Sequence, residues 1–156
     1  GPVIGICQAG IQVAMTVSRR FSVVTTLPRS IPIIEELVSA YGAERHCRNV
    51  RAIDLPVLGL EEDPERSERL LMAEIGKAKK EDRAEAIVLG CAGMSALCER
   101  LTLATGIPVI DGVTAAVKFA EALVGAGYAT SKVGGYDFPT VKTPVAIHKD
   151  MVRDSA

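Results

Sequence analysis

The chain has 156 residues and a formal net charge of −1, from 18 Lys and Arg against 19 Asp and Glu. With no basic stripe and no run of like charge, nucleic acid and anionic membrane surfaces are poor partners. Hydrophobic residues make up 48% and aromatics only 4%, so Val, Ile, Leu and Ala pack the core, as in parallel sheets covered on both faces, and no run reaches the ~20 apolar residues that span a bilayer.

The pattern alternates strands and helices within one domain-sized chain. Gly1-Pro2-Val3-Ile4-Gly5-Ile6 lacks the basic region of a signal peptide, and Val3–Ile6 reads as the first strand. A helix over Gln8–Arg19 follows, then a β-branched strand over Phe21–Thr26. Ser30 reads as the cap of a helix with Pro32 in its first turn, stopped by Gly42. Val50–Leu55 is the third strand, closed by Pro56. Asp63-Pro64 is a cap followed by proline at the first helical position, so it starts a charged helix. Ala86–Leu89 is the fourth strand, and its helix runs from Met94 to Ala104, where Gly106 ends it. Val109–Asp111 is the fifth strand, and Val113–Val124 the last helix. The tail beyond Gly127 reads as loop, with Tyr136 and Phe138 as anchors.

That last helix carries Val113, Ala116, Val117, Ala120 and Val124 as an inward stripe, yet Ala115, Phe119, Ala122 and Leu123 are apolar too. A helix apolar nearly all round is buried on several sides. It is expected to pack on another subunit or on a domain outside this chain.

The segment richest in chemistry is Leu89-Gly90-Cys91-Ala92-Gly93-Met94. It sets a thiol at the carboxyl end of a parallel strand, where open α/β sheets bind ligands. A helix N-terminus there favours an anionic sulfur. Gly90 and Gly93 remove side chains on both sides, leaving room for a ligand. A buried cysteine packing as a small hydrophobe is the competing reading. The four cysteines form no CxxC pair and there are two histidines, which argues against a zinc site and a disulfide framework. Free thiols in a reducing cytoplasm are expected.

These segments resemble the hydantoin racemases of the aspartate/glutamate/hydantoin racemase superfamily. The resemblance is carried by Gly1–Ile6, Phe21–Thr26, Val50–Leu58, Leu89–Met94 and Pro108–Gly112. Glutamate and aspartate racemases are expected to follow the equivalent Gly-Cys with Thr and then His or Glu. Here Ala92-Gly93 stands instead, which favours a neutral cyclic substrate.

The resemblance implies a Rossmann-like α/β fold with a parallel sheet flanked by helices, one of two pseudo-symmetric domains. It also implies racemisation of D- and L-5-monosubstituted hydantoins without metal or cofactor. One thiolate removes the C5 proton and a second thiol protonates the opposite face. Cys91 matches the second family cysteine. The first belongs to a domain preceding the Gly-Pro-Val-Ile-Gly segment, so the chain is expected to be the C-terminal portion of a longer racemase, inactive in full racemisation by itself. Residues 1–106 would form the domain bearing Cys91, and residues 107–156 would return to the other domain or a partner. The backbone amides of Ala92 and Gly93 would stabilise the enolate, and the hydroxyls of Thr25 and Thr26 would orient the ring. The only partners expected are the small-molecule substrate and further copies of the chain in a homo-oligomer.

Other residues have weaker claims. Cys7 sits at the same sheet edge, but two thiols on one edge would approach a ring from similar directions. Cys98 reads as core. Cys47, among Arg45, His46 and Arg48, reads as a somewhat activated, non-catalytic thiol. Arg29 could line the cleft, His46 and His148 have no role, and Asp111 reads as a cap or an orienting group. Three other functions stay open: an allantoin racemase, a single-thiol decarboxylase of the arylmalonate type, and a non-catalytic binding or assembly domain.

Overall fold

The β-branched and aliphatic runs become four parallel strands: β1 (Phe21–Thr25), β2 (Cys47–Ala52), β3 (Ala86–Leu89) and β4 (Val109–Asp111). Their order in the sheet is β2-β1-β3-β4. The structure is a computed structural model and describes residues 1–139. Six helices flank the sheet: α1 (Ile6–Val17), α2 (Ile31–Ala40), α3 (Gly59–Glu62), α4 (Pro64–Lys77), α5 (Cys98–Thr105) and α6 (Gly112–Gly125). Among the described residues no helix is long and apolar enough to cross a membrane.

Strand alternation divides the core into two layers. Ala86 and Val88 point to one face, with Ile11 of α1 and Ile34 of α2. Ile87 and Leu89 point to the other, with Leu71 and Ile75 of α4 and Leu101 of α5. Val24 pairs with Leu89, and Leu89 with Asp111. The carboxyl ends of three strands therefore meet at one edge.

Most expected boundaries hold to within a few residues. Ala86–Leu89 and Val109–Asp111 are strands as read. Asp63 accepts the Arg66 N–H to cap α4, and Gly42 and Gly106 both take positive φ where helices end. Val3–Ile6 is a correction: no described strand pairs with it, and Ile6 instead opens α1, which buries Ala9, Ile11 and Ala14. Ser30 is another. A 3-10 turn over Pro28–Ser30 leads into α2, and the Ser30 side chain makes no capping bond. The third strand runs earlier than expected, at Cys47–Ala52: Phe21 pairs with Cys47 at its start, and Asp54, with φ at 53°, breaks the extended run soon after its end. Tyr136 and Phe138 do not anchor the tail; both are exposed, and Phe138 lies under the Lys132 ammonium. The remainder of the tail, with His148, lies outside the described residues.

α6 turns a different face inward from the one its valines suggest. Ala115 and Ala116 pack on Ala9 of α1, with Phe119 beside them. Val117 and Val124 are 51% and 63% exposed. Gly10 and Gly112 explain this: a β-carbon at Gly10 would come within 3.5 Å of the Gly112 Cα. So close an approach admits only small side chains at the α1–α6 contact.

One polar cluster pins β2 to the end of α4. The Arg51 guanidinium reaches Asp82 at 2.6 Å, Glu81 at 2.8 Å and Glu74 at 3.0 Å. Burial acts to raise the Asp82 pKa, but Arg51, the Ser22 hydroxyl and the Asn49 amide outweigh it and hold the carboxyl below its ordinary value. Stability from a depressed carboxyl is present above its unfolded pKa of ~3.9 and is lost as pH falls through the folded value. Arg51→Met leaves Asp82 buried without its cation, so it should cost about 3 kcal/mol at neutral pH. Urea unfolding at pH 7 and pH 3 checks this, with a smaller loss expected at pH 3.

Candidate functional site

β3 delivers its chain to the shared carboxyl edge and stops at Leu89. The Gly90 N–H still donates to the Val24 carbonyl at 2.8 Å. Its own carbonyl accepts the Thr25 hydroxyl at 3.4 Å. A β-carbon at Gly90 would stand 2.9 Å from the Thr25 Cβ, so glycine is a packing requirement here. Cys91 follows in extended conformation and begins a 3-10 turn over Ala92–Leu97. That turn starts two residues earlier than the helix expected from Met94, because the fully buried Met94 anchors it from within.

Beside this turn lies a cavity of about 130 Å³, with Cys7, Gly90, Cys91, Ala92 and Asp111 on its wall among aliphatic side chains. Cys91 and Ala92 both line it. Gly93 is not on the wall; it lies toward Val57 and Leu60, where a β-carbon would stand 3.7 Å from the Cys91 sulfur. Thr25 and Thr26 are not on it either. They are 1% and 4% exposed, and the Thr25 hydroxyl donates to the Gly90 carbonyl. Arg29 is exposed and does not reach the cavity.

The other thiols differ in setting. Burial pushes the Cys7 thiol up, so it is protonated at neutral pH. Cys47 is not activated despite its basic neighbours in sequence: burial, with Asp82 and Glu35 nearby, pushes it up to about 11. Cys98 packs against the core and donates to the Val109 carbonyl; burial and Asp111 raise it as well. Thiolates are the nucleophiles, so iodoacetamide at pH 7.5 should label Cys91 well ahead of Cys7, Cys47 and Cys98. Peptide mapping of the alkylated chain reads the order.

His46 sits with Nδ1 3.1 Å from the Arg19 carbonyl, 27 residues away at the turn that precedes β1. Among the described residues no group of three or more His, Cys, Asp or Glu side chains is arranged to hold a metal ion. Ser95, which carries no local signal in the sequence, donates its hydroxyl to Asp111 at 2.6 Å. Cys7, expected at the end of a strand, sits instead in the first turn of α1 and lines the same cavity as Cys91.

Fold and site together define a Rossmann-like α/β domain that presents a cysteine at the carboxyl edge of a parallel sheet. Residues 1–120 match the family Asp/Glu/Hydantoin racemase. A hydantoin racemase of Rhizobium meliloti is 77% identical over 149 residues, covering 96% of this chain and 61% of that protein. One from Pseudomonas sp. (strain NS671) is 43% identical over 153 residues, 98% of this chain and 61% of that protein. The solved allantoin racemase from Klebsiella pneumoniae superposes with a TM-score of 0.88 at 49% identity, over 91% of this chain and 58% of that one. The chain belongs to the Asp/Glu/hydantoin racemase family, and it spans 61% of the length of these two curated relatives.

Proposed function

We propose that the protein racemises 5-monosubstituted hydantoins by moving the C5 proton, with Cys91 as one of two acid/base thiols and with no metal or cofactor. The observation that carries this reading is the make-up of the cavity. It has a thiol on its wall, an aliphatic lining and one carboxylate, with no Lys, Arg or His among the residues that line it. A free amino acid would bring a carboxylate needing a cationic partner once desolvated. A hydantoin is neutral, and the neighbouring ring carbonyl acidifies its C5–H. In this reading Cys91 takes the proton, and the first amides of the turn, at Ala92 and Gly93, stabilise the enolate oxygen.

The second thiol, on the opposite face, is assigned to the length of the relatives that this chain does not span. Residues 1–106 then form the domain bearing Cys91, and residues 107–156 pack on the other domain; the outward-facing Val117 and Val124 support that. We place the protein in the cytoplasm as a homo-oligomer, a setting that suits its four free thiols. Allantoin, itself a 5-substituted hydantoin, is the second reading, favoured by the solved relative named for it.

The test, made on the full-length protein that also supplies the second thiol, follows loss of optical rotation with single enantiomers of a 5-alkyl hydantoin, allantoin and glutamate. The hydantoin should racemise fastest, allantoin more slowly, and glutamate not at all. Glutamate turning over faster than either ring would sink the reading.

A further inference from the structure

We infer that Ser95 and Asp111 are positioning residues that aim the Cys91 sulfur, an inference that rests on Cys91 being an acid/base group. Cys91 begins the 3-10 turn, yet its side chain makes no capping bond to it. Its direction is therefore set by the backbone on either side. On the upstream side the Thr25 hydroxyl holds the Gly90 carbonyl. Downstream, the Ser95 hydroxyl lies 2.8 Å from the Ala92 carbonyl oxygen and 2.6 Å from Asp111 Oδ1. Its one proton is shared between these two acceptors.

Asp111 lines the cavity, but it has no capacity left for a ligand. Oδ1 accepts Ser95 Oγ and the Val113 N–H at 3.0 Å. Oδ2 accepts the Thr114 N–H at 2.9 Å and the Thr114 hydroxyl at 2.6 Å. Four donors fill the roughly four lone-pair sites of a carboxylate. Burial acts to raise the Asp111 pKa, but these bonds outweigh it and keep the group ionised. The Val113 and Thr114 amides alone would satisfy a helix cap. The bond from Ser95 is additional, and it comes from the turn that carries Cys91. A path therefore runs from the start of α6 through Asp111 and Ser95 to Ala92, the residue after the sulfur. Displacing a reacting group by about 1 Å can cost as much as ~100-fold in rate, so this tether bears on turnover rather than on substrate affinity.

The experiment compares Ser95→Ala and Ser95→Thr in the full-length protein that also supplies the second thiol. Amide hydrogen exchange reads the segment Gly90–Leu97, and hydantoin racemisation gives kcat and KM. In Ser95→Ala, exchange in that segment should speed about tenfold while α4 and α5 stay unchanged, and kcat should fall about tenfold with KM within twofold. The retained hydroxyl of Ser95→Thr should restore both. Unchanged exchange in Ser95→Ala overturns the tether. Faster exchange with unchanged kcat, or a loss carried by KM, overturns its role in aiming the sulfur. If the unsubstituted protein racemises no hydantoin, the functional reading fails, and the exchange result still decides the tether.

Discussion

In the full-length protein that supplies the second thiol, Cys91→Ala should lower racemisation of a 5-alkyl hydantoin by about 10³-fold while leaving the fold intact. Removing a positioned acid or base typically costs 10²–10⁴ in rate, and Cys91 is the thiol at the end of β3 with a cavity beside it. The sulfur packs only at the edge of the core, so its loss removes little buried area. Cys91→Ser keeps the size but not the acidity, since a hydroxyl ionises far less readily than a thiol, and should be nearly as slow. Cys7→Ala is the informative comparison, because Cys7 shares the cavity wall. It should change the rate less than about threefold, far below the loss expected of an acid/base group, because the second acid/base thiol is assigned to the length of the relatives that this chain does not span. Circular dichroism of each variant and polarimetric rates read these outcomes. A Cys91→Ala protein with more than a tenth of normal activity would remove the thiol from the mechanism.

A stability effect as large as that of Arg51→Met should come from Gly112→Ala. A β-carbon there would stand 3.0 Å from the Ile6 carbonyl carbon and closer still to its oxygen. Those are backbone atoms at the start of α1, so no side-chain rotation relieves the clash. The α1–α6 pair must separate, and Ile6, Cys7 and Val113 on the cavity wall must move with it. A cost of about 3 kcal/mol is expected, at the upper end for overpacking. Gly76→Ala makes the contrast: it sits inside α4 with nothing near its missing β-carbon. There the same substitution should stabilise by up to ~1 kcal/mol through helix propensity. Thermal unfolding of the two variants should shift in opposite directions.

Which parts of this were legible in the sequence follows from the range of the interactions involved. Asp63-Pro64, Gly42, Gly106 and the aliphatic runs of β3 and β4 act through neighbours a few residues away, and their structure was readable. Val3–Ile6 carries the same β-branched signal, but a strand needs a partner, and none of the described strands pairs with it. The face of α6 misled for a related reason: its valines outweigh its alanines in hydropathy, while the contact is set by two glycines about a hundred residues apart. At the site, Cys91 stood out by its place between a strand and a turn. Thr25 looked like a ligand because it ends a strand at the right edge, yet its hydroxyl faces Gly90. Cys47 looked activated from its basic neighbours in sequence, whereas burial and Asp82, 35 residues away, decide its state. Ser95 carries no local signal, since its partner Asp111 lies 16 residues on.

The most direct test of the central claim is racemisation of a single hydantoin enantiomer in D2O by the full-length protein that supplies both thiols, with deuterium at C5 followed by NMR. If Cys91 exchanges the C5 proton, the inverted product carries deuterium from its first appearance, and Cys91→Ala suppresses both inversion and label. Inverted product that retains its original C5 hydrogen, or label that enters at the same rate without Cys91, would contradict the account.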